Sequence, residues 1–231
     1  CAKHFVGYGA SEGGRDYGYV GIPEIDLRNV YMPPFKAATD AGVATFMAAF
    51  SDVNGVPASG NRFLMRTVLR DEWKFPGFVV SDWESIIDMI VHGFAANEME
   101  AAFEALSAGV DMEMASTTYR DHLAELLAAK RIDQDTLDTA VRNVLRVKFQ
   151  LGLFERTVTD PSRYPAVASA ANFALAKKLT TQSLVLLQNR NDVLPLARAS
   201  LRSLAVIGPM AAADNEQLAT CIHDGVTALT P

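Results

Sequence analysis

Two short stretches of this chain hold the side chains best suited to chemistry. Gly77–Trp83 reads GFVVSDW, in which residues of high strand propensity run into a polar stop, Asp82 beside Trp83. A buried parallel strand reads this way, and its C-terminal end is where α/β proteins place reactive groups. A carboxylate held there next to an aromatic plate suits attack on a sugar ring. The bland alternative is that Asp82 caps the next helix, since Ser and Asp favour that position, and that Trp83 belongs to the core. The second stretch is Lys3-His4, at the end of another short strand. It offers either a pair of donors for sugar hydroxyls or a Lys reaching water and a His satisfying a local carbonyl.

Other candidates are weaker. Gly7–Tyr17, GYGASEGGRDY, is rich in glycine but meets neither phosphate-cradle pattern, so it is either a loop presenting Arg15 or a plain turn. Asp111 and Glu113 alternate within GVDMEM, and Glu113 is a possible second carboxylate. His92, His122 and His223 have no partner at metal spacing and read as surface or local-cap residues. Cys1 and Cys221 are the only cysteines and form no CxxC.

These groups need a scaffold. Strand-like runs at Ala2–Val6, Val43–Phe50, Phe78–Ser81 and Gly109–Met114 alternate with helical patterns at Tyr31–Asp40, Asn61–Trp73, Glu98–Ala108, Tyr119–Ala129 and Asp135–Gln150. In the last of these, Leu137, Val141, Val144, Leu145 and Lys148 follow a helical repeat. The alternation predicts a parallel sheet with helices outside. Lys3-His4, Phe50-Ser51, Asp82-Trp83 and Glu113-Met114 then open on one face, as at the active face of a (β/α)8 barrel. Four strands make the C-terminal half of such a barrel, over residues 1–155. A Pro-containing linker covers 156–166. Residues 167–231 read as the beginning of a second, α/β sandwich domain, with a helix at Asn172–Thr181 and strands at Ser183–Leu187 and Leu204–Gly208. The abrupt first and last residues suggest an internal piece of a longer protein.

Composition narrows the partners. The 231 residues are 49% hydrophobic and 21% charged, with a net charge of −6. No Lys/Arg cluster favours nucleic acid, and no apolar run reaches the ~20 residues of a membrane helix.

Taken in order, KHFVGYG at 3–9, EGGRDY at 12–17, SDVNGVPAS at 51–59, LRDEWKFPGFVVSDW at 69–83, AGVDMEM at 108–114, VLRVKFQLGLFE at 144–155, QSLVLLQN at 182–189 and VIGP at 206–209 resemble glycoside hydrolase family 3. The likeness is to periplasmic or secreted bacterial β-glucosidases and exo-glucanases. It implies that Asp82 is the catalytic nucleophile and that Trp83 walls the glucose subsite. It implies that Lys3 and His4 bind sugar hydroxyls across a cis peptide, and that Arg15 contacts the sugar. Phe50 stands where many members carry Tyr, which removes a phenol oxygen.

The implied reaction is a retaining hydrolysis of terminal β-glucosyl residues in glucosides or gluco-oligosaccharides, with no metal or cofactor. Its acid/base Glu would lie beyond residue 231, so the remaining segments of the same enzyme are the expected partners and this piece alone is expected to be inactive. Within the family the rivals are a β-xylosidase and a β-N-acetylglucosaminidase. The second is disfavoured by Val6 and Tyr8 in place of the Pro and His of KHFPGHG. Outside it, the rival is a non-catalytic carbohydrate-binding or structural fragment.

Overall fold

A computed structural model describes residues 1–163 and 169–212. The chain divides into two units, Cys1–Asp160 and Pro161–Pro231. Cys221, His223 and most of the proposed sandwich domain's last segment lie outside the described residues.

The first unit is built on a four-stranded parallel sheet in the order β1-β2-β5-β6. Its strands are β1 (Ala2–Phe5), β2 (Thr45–Ala48), β5 (Phe78–Trp83) and β6 (Met112–Met114). A two-residue hairpin, β3 (Asp52–Val53) with β4 (Val56–Pro57), lies between β2 and β5 in sequence. Phe46 pairs with Val79 across β2 and β5 and with Ala2 across β2 and β1. Phe5, Phe46 and Val79 are fully buried. Phe5 meets Phe35, Phe46 and Trp73 edge-on at 5.2, 5.4 and 5.8 Å between centroids, the geometry that aromatic quadrupoles favour. Gly77 leads into β5 because nothing larger fits: a Cβ there would sit 1.9 Å from the carbonyl oxygen of Ala44.

The helices have readable limits. Glu98–Ala108 starts at Asn97, whose side chain accepts from the Glu100 amide, and stops at Gly109 with φ of 113°. It buries Ala101, Ala102, Ala105 and Ala108, small enough for the helix to lie close to its neighbours. Thr118–Ala128 and Gln134–Gln150 follow. Pro33–Asp40 begins with its two prolines in the first turn, where no amide partner is lost. Phe63–Glu72 is a helix with wide, π-type turns.

Several expectations need correction. The chain is already helical over Glu24–Asp26 and Leu27–Tyr31, ahead of the helix expected from Tyr31. The long helix buries Ala140, Asn143 and Val147 and leaves Val141, Leu145 and Phe149 exposed. On that face Asn143 donates to Asp111 at 2.9 Å. In the second unit Ala170–Ser183 is helical, but Ser183–Leu187 and Leu204–Gly208 form no strands. Their side chains are open to solvent, with Leu187 92% and Ile207 90% exposed. An apolar run becomes a strand only when another strand pairs with it, and no partner is present among the described residues.

Candidate active site

Asp82 is the penultimate residue of β5, and the local backbone explains how it is presented. The β5–β6 register shifts between Val80 and Trp83. In the gap the Ser81 hydroxyl accepts the Met114 amide at 2.8 Å and donates to the Asp82 carbonyl at 2.9 Å. Glu84 then takes a left-handed conformation, φ 57°, which turns the chain out of the sheet. The next helix, Asp88–Val91, is preceded by Ile87 and has no side-chain cap. Asp82 is therefore not a helix cap, and the bland reading of that residue fails.

The two carboxylate oxygens of Asp82 differ. Oδ1 accepts the Trp83 backbone N–H at 2.6 Å. Oδ2 is buried and makes no hydrogen bond, although His4 Nε2 lies 3.3 Å away in an off-angle ion-pair contact. The residue is only 8% exposed. The Trp83 amide thus orients the carboxylate through one oxygen and leaves the other without a hydrogen-bond donor. Trp83 beside it is 53% exposed, an aromatic face presented to solvent and not to the core.

β1 brings His4 to this point. The Lys3–His4 and Phe5–Val6 peptides are both cis. His4 is half-buried and Lys3 exposed. Burial pushes the His4 imidazole below its ordinary value; Asp82 and Asp16 pull it up and Lys3 pushes it down. Among these charges His4 is the side chain that touches Asp82, while Lys3 acts on His4 through its field.

Phe50, just beyond β2, packs against the Tyr17 ring at 4.0 Å and the Tyr8 ring at 6.1 Å. Arg15 is exposed and lines a shallow pocket with Tyr8, Ser11 and Asp16; the structure does not bring it to Asp82. The loop that carries it is tied down from the hairpin. Asn54 and Gly55 take φ of 55° and 86°, the Asn-Gly pair of a tight hairpin turn. The Asn54 side chain then holds both backbone groups of Ile22, at 2.9 and 2.8 Å.

Two residues were not legible as part of this cluster. Tyr8 donates its hydroxyl to Asp16 Oδ1 at 2.5 Å and packs edge-on against His4, centroids 5.0 Å apart. The only sequence signal for them was the glycine content that lets a loop fold back on itself.

The remaining acidic and histidine candidates have structural roles. Asp111 lies at the other end of β5, where Oδ2 accepts from Arg70 at 2.6 Å and the Val79 amide at 2.8 Å, and Oδ1 from Asn143 at 2.9 Å. Glu113 binds the start of the Thr118–Ala128 helix, accepting from the Thr118 amide at 3.0 Å, the Tyr119 amide at 2.8 Å and the Ser116 and Thr118 hydroxyls. It is a helix cap, not a second site carboxylate. His92 is also a correction: it is half-buried and bonds Asp52 Oδ1 at 2.7 Å, a long-range clamp on the hairpin. His122 faces Glu98 at 3.4 Å. Among the described residues no three His, Cys, Asp or Glu side chains form a metal-sized group.

A parallel sheet thus presents an aspartate, a histidine and an exposed indole together at its C-terminal ends, the place where α/β folds hold their reactive groups. Residues 1–147 match the model for the glycosyl hydrolase family 3 N terminal domain. The chain belongs to that family. It is 40% identical over 230 residues to a periplasmic beta-glucosidase of Salmonella typhimurium, covering 97% of this chain and 30% of that protein. It is 36% identical to a beta-xylosidase of Formosa agariphila, covering 91% of this chain and 30% of that one. The crystal structure of a beta-glucosidase from Listeria innocua superposes with a TM-score of 0.75 at 38% identity, over 84% of this chain and 27% of that one. The same Listeria enzyme is known in complexes with glucose and, as a mutant, with laminaribiose. The chain thus spans less than a third of the length of these relatives.

Proposed function

We propose that this chain carries the nucleophile half of a retaining, exo-acting β-glucosidase site, with Asp82 as nucleophile. The observation that supports this most is the asymmetry of Asp82: Oδ1 is held by Trp83 N–H and Oδ2 is buried with no hydrogen bond. In the first step the Asp82 carboxylate attacks the anomeric carbon and forms a glycosyl-enzyme, while a carboxylic acid elsewhere protonates the leaving oxygen. In the second, that group deprotonates a water that releases the sugar. The two carboxyls of such a pair sit about 5 Å apart. Glu113 and Asp111 are committed to other partners and are not that acid/base group; the family resemblance implies that it is supplied by another part of the enzyme.

His4 and Lys3 donate to sugar hydroxyls, Trp83 stacks on the C–H face of the ring, and Phe50 and Arg15 line the approach. On this reading residues 1–155 are the second half of a (β/α)8 barrel, 156–166 a linker and 167–231 the start of a sandwich domain. The parent acts on glucosides or gluco-oligosaccharides in the periplasm or outside the cell, in keeping with the Salmonella relative's name. A β-xylosidase is the second reading, supported by the Formosa relative. The segment alone is inactive, because both the acid/base group and half of the barrel are supplied by the rest of the enzyme.

In the intact enzyme, Asp82→Ala is expected to abolish aryl β-glucoside turnover while glucose binding survives. Turnover retained by Asp82→Ala would contradict the assignment. Comparing the aryl β-xyloside in the same assay decides between the two sugars.

A further inference from the structure

Tyr8 stands one step behind the candidate site. Its hydroxyl donates to Asp16 Oδ1 at 2.5 Å, and the same oxygen accepts the Tyr17 amide at 3.0 Å. The Ser11 hydroxyl bonds the Tyr8 carbonyl at 3.2 Å, closing the loop locally. Gly7 begins this turn at φ 81°, with Ile22 so close that a Cβ would lie 3.2 Å from it. The Tyr8 ring is therefore fixed from its backbone and from its hydroxyl.

That ring is the wall against which His4 rests. The two planes meet at 69° with centroids 5.0 Å apart. His4 in turn presents Nε2 to Asp82 Oδ2 at 3.3 Å. The terminal torsion of a histidine is broad and weakly restrained by itself. A packing surface is needed to hold Nε2 at one distance from the Asp82 carboxylate. A phenol anchored on a carboxylate provides a stiffer surface than one free to turn.

We propose that Tyr8, anchored by Asp16, is a positioning residue that sets the His4 ring against Asp82; this rests on Asp82 being the nucleophile. Tyr8 has no reacting atom to touch and acts through His4. Burial and the Asp16 acceptor both push the Tyr8 phenol far above its ordinary value, so it remains a donor at any working pH. The charged groups that act on His4 are Asp82 and Asp16, which favour its protonation, and Lys3, which opposes it.

Two measurements test this. In the 231-residue chain, the His4 imidazole is titrated by NMR. Tyr8→Ala admits water and relieves the burial that lowers His4, so its pKa rises; Asp16→Asn removes an attractive charge, so its pKa falls. In the intact glycosidase, Tyr8→Ala is expected to lower kcat about ten- to a hundredfold, the scale of a misplaced catalytic geometry, with a much smaller change in KM. Tyr8→Phe keeps the wall and loses the anchor, and should lose only about fivefold. Wild-type kcat in Tyr8→Ala, alongside a dead Asp82→Ala, overturns the positioning role and leaves the nucleophile assignment standing. An active Asp82→Ala overturns both. If Tyr8→Ala does not fold, an unchanged kcat in Tyr8→Phe overturns the proposal.

Discussion

Asp82 and Asp111 are two aspartates with little-exposed side chains, one at each end of β5, and they are treated in opposite ways. Asp111 is saturated: an arginine, a backbone amide and an asparagine fill its oxygens. Arg70 itself is held by the Phe75 and Gly77 carbonyls and lies over the Phe75 ring at 5.2 Å. Burial still pushes the Asp111 carboxyl up and the Arg70 guanidinium down, against their mutual attraction. The pair therefore specifies how β5, β6 and the Gln134–Gln150 helix meet more than it adds net stability. Asp82 keeps one oxygen bonded to its own neighbour and the other vacant of hydrogen bonds. The difference is that the saturated carboxylate ties several elements together, while the half-satisfied one lies at the strand's C-terminal end, where α/β proteins place reactive groups.

Substitutions should separate the two. Asp82→Ala is expected to reduce turnover of the intact enzyme by about 10⁴-fold or more, with little change in the melting temperature. A melting temperature that collapses with the activity would erase the contrast. Asp111→Ala should do the reverse. It leaves the half-buried Arg70 without its carboxylate though still bonded to the Phe75 and Gly77 carbonyls, for a loss of roughly 2–3 kcal/mol read by denaturant unfolding, with turnover per folded molecule retained. Asn143→Ala removes the Asp111 Oδ1 donor and a contact that accepts from Arg146 at 3.0 Å, and should lose roughly 1–3 kcal/mol. Glu113→Ala is the mildest, roughly 1–2 kcal/mol as a lost helix cap, again without effect on chemistry. If it instead stopped turnover, Glu113 would belong with Asp82 in function.

The same contrast explains what the sequence disclosed. The Glu98–Ala108 helix was legible to the residue because its signals are local, Asn97 before it and Gly109 after it. β5 was legible because GFVVSDW joins a strand to its stop. β6 was expected from Gly109 but begins at Met112, although the Asp111 amide already bonds the Val79 carbonyl at 2.9 Å; the side chains that meet Asp111, Arg70 and Asn143, come from far away in sequence. The helical repeat of the long helix was legible, but not that its polar Asn143 faces inward to meet that aspartate. Ser183–Leu187 and Leu204–Gly208 have strand composition, but strand formation depends on a partner that local sequence does not reveal. At the site, type and position marked Asp82, yet the choice between cap and free carboxylate turned on the Glu84 backbone. The Tyr8–Asp16 bond closes across a glycine loop whose path no periodicity encodes.

The most direct measurement is covalent trapping. Incubating the intact enzyme with an activated 2-deoxy-2-fluoro-glucoside and mapping the labelled peptide should place the sugar on Asp82. A label on Asp111 or Glu113, or on a carboxylate outside this chain, would contradict the account.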